Sequence, residues 1–122
     1  MSRVLVVDDE PDVAGVLVDL LRAEHQQVEA VTDGRAALEK IEQAAYDLIL
    51  CDVRMPGLDG PELYRALRLL HSELLPRFVF LTGDTLNPES GEFVQQTGAP
   101  CISKPFDFDE VYRVIGRALQ PR

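Results

Sequence analysis

Asp8, Asp9, Asp52, Thr82 and Lys104 each follow directly on a short apolar run. Arg3–Val7 stops at Asp8-Asp9, Leu48–Cys51 at Asp52, Phe78–Leu81 at Thr82-Gly83, and Cys101–Ser103 at Lys104-Pro105. If the four runs are parallel strands, their endings share one edge of one sheet. In open α/β sheets the crevice outside that carboxyl edge is where ligands bind. Three carboxylates, a hydroxyl and an ammonium would then converge. Clustered acids repel one another unless a cation neutralises them. The set therefore implies a divalent metal and an incoming anionic group.

Each residue type suits that chemistry. Mg²⁺ typically takes one or two carboxylates and completes its octahedron with water and phosphate oxygens. Of two adjacent acids, one can ligate directly while its neighbour holds a ligated water. Asp9 or Glu10 could equally cap the helix that starts at Pro11. Asp52, ending a hydrophobic strand beside a Gly57/Gly60 loop, has room to act as a nucleophile that forms an acyl phosphate. Such a step needs positive charge on the phosphoryl oxygens. Thr82 can donate one hydrogen bond to such an oxygen. Lys104, at the end of a core strand, needs an anionic partner, either Asp52 at rest or a phosphate afterwards. A cis Lys104-Pro105 bond would aim the ammonium back into the pocket.

The elements that must position these residues follow from periodicity. Val4–Val7 reads as a strand buried on both faces. Pro11–Glu24 reads as a helix, with Pro in its first turn and Val13, Val16, Leu17, Leu20 and Leu21 at helical spacing. Val28–Val31 is a second strand. Thr32-Asp33-Gly34 opens a helix with Ala37, Leu38, Ile41 and Ala45 on one face. Asp47–Asp52 is the third strand, and Met55–Gly60 a loop marked by Pro and Gly. Pro61–Leu75 reads as helical, with Leu63, Leu67 and Leu70 inward. Phe78–Thr82 is the fourth strand. Asn87-Pro88 caps a weak helix to about Thr97, with Gly91 inside and few apolar anchors besides Phe93 and Val94. Cys101–Ser103 is the fifth strand, and Asp107–Leu119 the last helix, with Val111, Val114, Ile115 and Ala118 on one face. The pattern is α/β, a (βα)5 doubly wound parallel sheet with strand order 2-1-3-4-5. Helices one and five should share a face.

The 122-residue chain suits one domain, residues 1–122. Its net charge of −9, from 12 basic and 21 acidic residues, opposes nucleic acid and anionic membranes. No apolar stretch approaches the roughly 18 residues a bilayer span needs, and nothing resembles a signal peptide, so a cytoplasmic location is expected. Cys51 and Cys101 read as free, buried thiols. No Cys/His pair has zinc-ligand spacing.

Taken together, VLVVDDEP at 4–11, DLILCDVRMPGLDG at 47–60, VFLTGD at 79–84 and SKPFD at 103–107 resemble the receiver domain of two-component response regulators, over nearly the whole chain. The resemblance implies the doubly wound, flavodoxin-like receiver fold. It also implies Asp52 as the phosphoacceptor, and Asp8 and Asp9 as the acidic pair with Asp9 favoured as the direct ligand of Mg²⁺ (or Mn²⁺). The Arg54 backbone carbonyl would be a further ligand, Thr82 the switch hydroxyl and Lys104 the phosphate-contacting lysine. Asp52 and Lys104 would carry the chemistry. An Arg54–Asp84 pair could gate the pocket mouth. One position departs: the family often has Tyr or Phe three residues before the lysine, where this chain has Cys101.

The implied partners are a sensor histidine kinase or histidine phosphotransfer protein upstream. Downstream, a protein target would dock on the fourth helix, fifth strand and fifth helix, including Phe108, Tyr112 and Arg113. Direct contact with nucleic acid or membrane is not expected, and the chain should be a monomer or weak dimer. It would be a switch that catalyses its own modification rather than a metabolic enzyme. A free-standing regulator is favoured over a receiver from a hybrid histidine kinase or larger regulator. Among competing classes, an FMN-binding flavodoxin-like module would need a Ser/Thr/Gly phosphate loop where Asp8-Asp9-Glu10 stands. A haloacid-dehalogenase-type hydrolase would need Asp-x-Asp after the first strand. A degenerate docking receiver would lack some of the five site residues.

Overall fold

Apolar and β-branched runs form the five strands: β1 Arg3–Val7, β2 Gln27–Val31, β3 Leu48–Asp52, β4 Phe78–Thr82 and β5 Cys101–Ser103. All pair in parallel, in the order β2-β1-β3-β4-β5. The helices between them are α1 Pro11–Arg22, α2 Gly34–Gln43, α3 Gly60–Leu70, α4 Pro88–Thr97 and α5 Phe108–Ala118. This computed structural model describes residues 2–24, 27–83 and 88–119.

Strand side chains alternate between faces, and here the alternation divides two cores. Val4, Val6, Leu48, Leu50, Val79, Leu81 and Ile102 pack against α1 and α5. Leu5, Val7, Ile49, Cys51, Phe78 and Phe80 pack against α2, α3 and α4. Helices α1 and α5 therefore share a face, as the sequence predicts. β1, β3 and β4 are buried almost throughout, whereas β5, a three-residue edge strand, buries only Ile102.

Several expectations need correction. α3 ends at Leu70, not Leu75, and Ser72–Arg77 is a 3-10 helix containing Pro76. A residue before proline disfavours the α region, and the chain must reverse here to enter β4. Leu70 is accordingly 62% exposed, and Tyr64 joins Leu63 and Leu67 in the core instead. In α1 the buried stripe is Ala14, Leu17 and Leu21; Val16, one residue or about 100° from Leu17, is exposed. α2 stops at Gln43, where Ala44 turns extended, so Ala45 lies outside the helix and exposed. Cys101 is exposed rather than buried, because β5 borders the sheet, and both thiols are free. α4 buries only Val94, consistent with its sparse apolar pattern.

Candidate functional site

Register brings the carboxylates together. Val7 pairs with Cys51, so Asp8 and Asp52, the next residues, stand side by side. By alternation both continue the face of Val6 and Leu50, and Lys104, two after Ile102, points to that same side. Asp8 is fully buried and Asp52 is 5% exposed. The Lys104 ammonium bridges them, 2.9 Å from Asp8 Oδ2 and 3.0 Å from Asp52 Oδ2. The Lys104-Pro105 bond is cis, and the Lys104 N–H donates to the Thr82 carbonyl (2.7 Å). The other oxygens are held by backbone: Glu10 N–H donates to Asp8 Oδ1 at 2.9 Å, and Arg54 N–H to Asp52 Oδ1 at 3.3 Å.

Burial raises the Asp52 pKa above the ordinary carboxylate range; the Lys104 hydrogen bond opposes this, and the Asp8 charge adds to it. Lys104 itself is disfavoured as a cation by burial, but its close ion pairs with Asp8 and Asp52 outweigh that and leave its pKa raised. The carboxylates thus hold the lysine ionised.

The loop after Asp52 is seated by close backbone packing. Gly60 N–H donates to the Val53 carbonyl (3.2 Å), Gly34 N–H to the Leu58 carbonyl (3.1 Å), and Val53 N–H to the Leu81 carbonyl (3.1 Å). A Cβ at Gly60 would stand 2.5 Å from the Asp52 carbonyl oxygen and 3.0 Å from Val53 Cα. Asp59 and Glu62 then start α3 with a reciprocal capping box.

Thr82 is 8% exposed at the end of β4, one register step beyond Asp52's partner Leu81. Alternation places it on the face of Phe80, toward α4, opposite to Asp8 and Asp52. Asp9 is half-buried and Arg54 exposed at the mouth. The expected Arg54–Asp84 gate falls on a residue, Asp84, outside the described ones.

A sequence profile of the response regulator receiver domain matches residues 4–116. The chain belongs to this family. It is 32% identical over 120 residues to the transcriptional regulatory protein TcrA of Mycobacterium tuberculosis, covering 98% of this chain and 46% of that one. It is 34% identical over 117 residues to the sensor protein GacS of Pseudomonas syringae pv. syringae, covering 93% of this chain and 13% of that one. The chain thus spans under half the length of both relatives. Among solved structures, the Vibrio cholerae chemotaxis protein CheY4 superposes with a TM-score of 0.85 at 30% identity, covering 98% of this chain and 99% of that one. The receiver domain of the Pseudomonas aeruginosa sensor histidine kinase PA1611, with magnesium in its active-site cleft, gives 0.85 at 31% identity, covering 97% of each.

The receiver's acidic cluster suits a hard cation. Asp8, Asp9, Glu10 and Asp52 each offer a carboxylate oxygen, all within 4.8 Å of one another. Asp8 Oδ2 is buried without an aligned hydrogen-bond donor, leaving the Lys104 ammonium as its charge partner. An all-oxygen, anionic donor set with such an oxygen fits Mg²⁺ or Mn²⁺. Glu10, one of the two acids that the sequence offers as a cap for α1, is the fourth member. It occupies the α1 N-cap but makes no capping bond, and its Oε1 stands 3.7 Å from Lys104 Nζ. Its position directly after Asp8-Asp9 was the signal. No helix among the described residues is long and apolar enough to cross a membrane.

Proposed function

We propose that this receiver domain accepts a phosphoryl group on Asp52 from a phosphohistidine of a sensor histidine kinase or histidine phosphotransfer protein. The observation that carries the reading is the single ammonium, Lys104, shared between the buried carboxylates of Asp8 and Asp52. A carboxylate oxygen of Asp52 attacks phosphorus as the bond from phosphorus to the imidazole nitrogen breaks. The leaving imidazole keeps that electron pair, and an aspartyl phosphate forms. Lys104, already 3.0 Å from Asp52, passes to the new phosphoryl oxygens as their counter-charge. Thr82 donates its hydroxyl from the α4 side. Asp8, Asp9, Asp52 and the Arg54 backbone carbonyl would hold Mg²⁺ (or Mn²⁺), which supplies further neutralisation of phosphoryl charge when bound. Asp52 and Lys104 thus make the domain a switch that catalyses its own phosphorylation and dephosphorylation.

The readout surface is α4, β5 and α5. Phe108 and Tyr112 stand exposed on α5, at 56% and 40% of their area, with exposed Arg113 beside them. Two such aromatic side chains suit a protein partner. A cytoplasmic setting agrees with the free thiols. Either a free-standing regulator or a longer protein could carry the domain.

The test is intact-mass spectrometry after incubation with Mg²⁺ and acetyl phosphate. The wild-type chain should gain one phosphoryl mass and Asp52→Asn none, because an amide is a poor nucleophile. Equal labelling of Asp52→Asn would overturn the assignment.

A further inference from the structure

Helix α4 buries little of itself in the body of the domain. Its one buried residue is Val94, and Phe93 beside it is half-buried. What holds Phe93 is α3. The Tyr64 ring meets it edge-on, with centroids 6.0 Å and planes 84° apart. The Arg65 guanidinium carbon stands over it, 4.3 Å from its centroid. Edge-to-face rings and a cation over a ring face are both attractive through the ring quadrupole. α3 is the fixed side of this contact, since it carries a capping box and buries Gly60, Pro61, Leu63, Tyr64 and Leu67. α4 is the more lightly packed side.

The stack continues inward. Tyr64 lies 5.7 Å from Phe80 and 5.3 Å, edge-on, from Phe78. Phe80 shares its strand face with Thr82, two residues on, and its register partner on β5 is Cys101, which brings no ring to the stack. A continuous line of rings therefore runs from the strand that ends in Thr82, through Tyr64, to the helix beside that strand's end.

We propose that Tyr64, Arg65 and Phe93 are positioning residues for α4, forming an aromatic latch. The latch fixes the resting seat of the helix and, through Phe80, ties that seat to the strand carrying Thr82. Its coupling to phosphorylation rests on the receiver reading above. The seat itself rests on geometry alone.

Amide hydrogen exchange of the full chain, at rest and with Mg²⁺ and beryllofluoride, tests both parts. At rest, Phe93→Leu should speed exchange at residues 92–97 by roughly ten-fold or more, because both ring contacts are lost. Arg65→Gln should speed it about two-fold to thirty-fold. Phe93→Tyr, which keeps the ring, should match wild type, and α3 amides should be unaltered in all three. In wild type, beryllofluoride should change exchange at 53–60 and at 92–97; in Phe93→Leu only 53–60 should respond. A Phe93→Leu protein with wild-type exchange at 92–97, or one whose α4 still answers beryllofluoride, overturns the latch. A wild-type protein whose residues 53–60 ignore beryllofluoride overturns the receiver chemistry instead, and the resting comparison of the three variants still decides the seat.

Discussion

Replacing Lys104 by Met removes the one ammonium that Asp8 and Asp52 share while keeping the side chain's length and most of its volume. The two carboxylates, with ligand oxygens no more than 4.8 Å apart, then face each other with little water between them. At an effective dielectric constant of about 20, two unit charges at that separation repel by about 3.5 kcal/mol. Protonating one of them could relieve this. Protonating one carboxylate is costly well above the carboxylate range, although burial, which already raises the Asp52 pKa, lessens that cost, so much of the repulsion stands at pH 7.5. Near pH 5 the cost is far smaller and the proton is taken up. The expected loss of stability is therefore about 3 kcal/mol at pH 7.5, in the range for breaking a buried ion pair, and distinctly smaller at pH 5. The sign agrees with linkage. The folded variant raises a carboxylate pKa above its unfolded value, so the folded state binds more protons between the two. Stability then falls as pH rises through that window. Urea denaturation at both pH values, without divalent cations, measures it. Millimolar Mg²⁺ at pH 7.5 should restore much of the loss by binding only the folded state. A loss below about 1 kcal/mol at pH 7.5, or an equal loss at pH 5, would refute the electrostatic reasoning. A loss indifferent to Mg²⁺ would refute the cation site.

Gly60→Ala should destabilise by about 2 kcal/mol or more, because its Cβ would press on the Asp52 carbonyl and Val53 Cα, which are backbone and cannot swing aside; a denaturation midpoint near wild type would show that the loop is not seated as described. Asp59→Ala should cost about 1 kcal/mol by removing the α3 cap, measurable in the same assay. His71 carries a pKa raised chiefly by its 2.6 Å hydrogen bond to Glu42, and further by Glu73. Its contribution to stability should be complete below the ordinary histidine pKa of about 6.5 and fade as pH rises through the folded value. The stability difference between wild type and His71→Gln should therefore shrink from pH 6 to pH 8.5, and a pH-independent difference would contradict the pairing.

The core of the site could be read from the chain because each chemical residue ends or closely follows a strand. Strand ends in a parallel sheet share an edge, and period-two alternation assigns a face. That logic brings Asp8, Asp52 and Lys104 together. It does not reach contacts made across space by backbone, so the roles of Gly34 and Gly60 against Leu58 and Asp52 were invisible. Glu10 reads as a cap before a proline helix start, and it does occupy the N-cap; the adjacent Asp8-Asp9 hinted at the acidic cluster, but its reach to Lys104 was not legible. Its nearness to Lys104 depends on β5, which begins 91 residues further along the chain. The exposed Val16 and Leu70 show the weakness of hydrophobicity alone. Both fit a helical period, but one falls just outside the buried stripe and the other at a terminus where the chain reverses before Pro76.

The division of the sheet into two cores gives the site its particular character. Asp8, Asp52 and Lys104 continue the face that packs on α1 and α5, whereas Thr82 continues the face that packs on α3 and α4. The carboxyl edge is where these faces meet. At rest, the ammonium satisfies the charge on the first face, and the Thr82 side chain stands on the other. On the proposed reading, a phosphoryl group on Asp52 extends beyond the edge and offers oxygens to both sides. Lys104 can take one from the first face, and the Thr82 hydroxyl another from the second. The new bond to Thr82 is then made on the face whose ring line runs from Phe80 to Phe93. Interior packing this dense does not deform continuously, so a shift of the β4 end is resolved at its least anchored neighbour. Among the described helices that neighbour is α4, which has a single buried side chain.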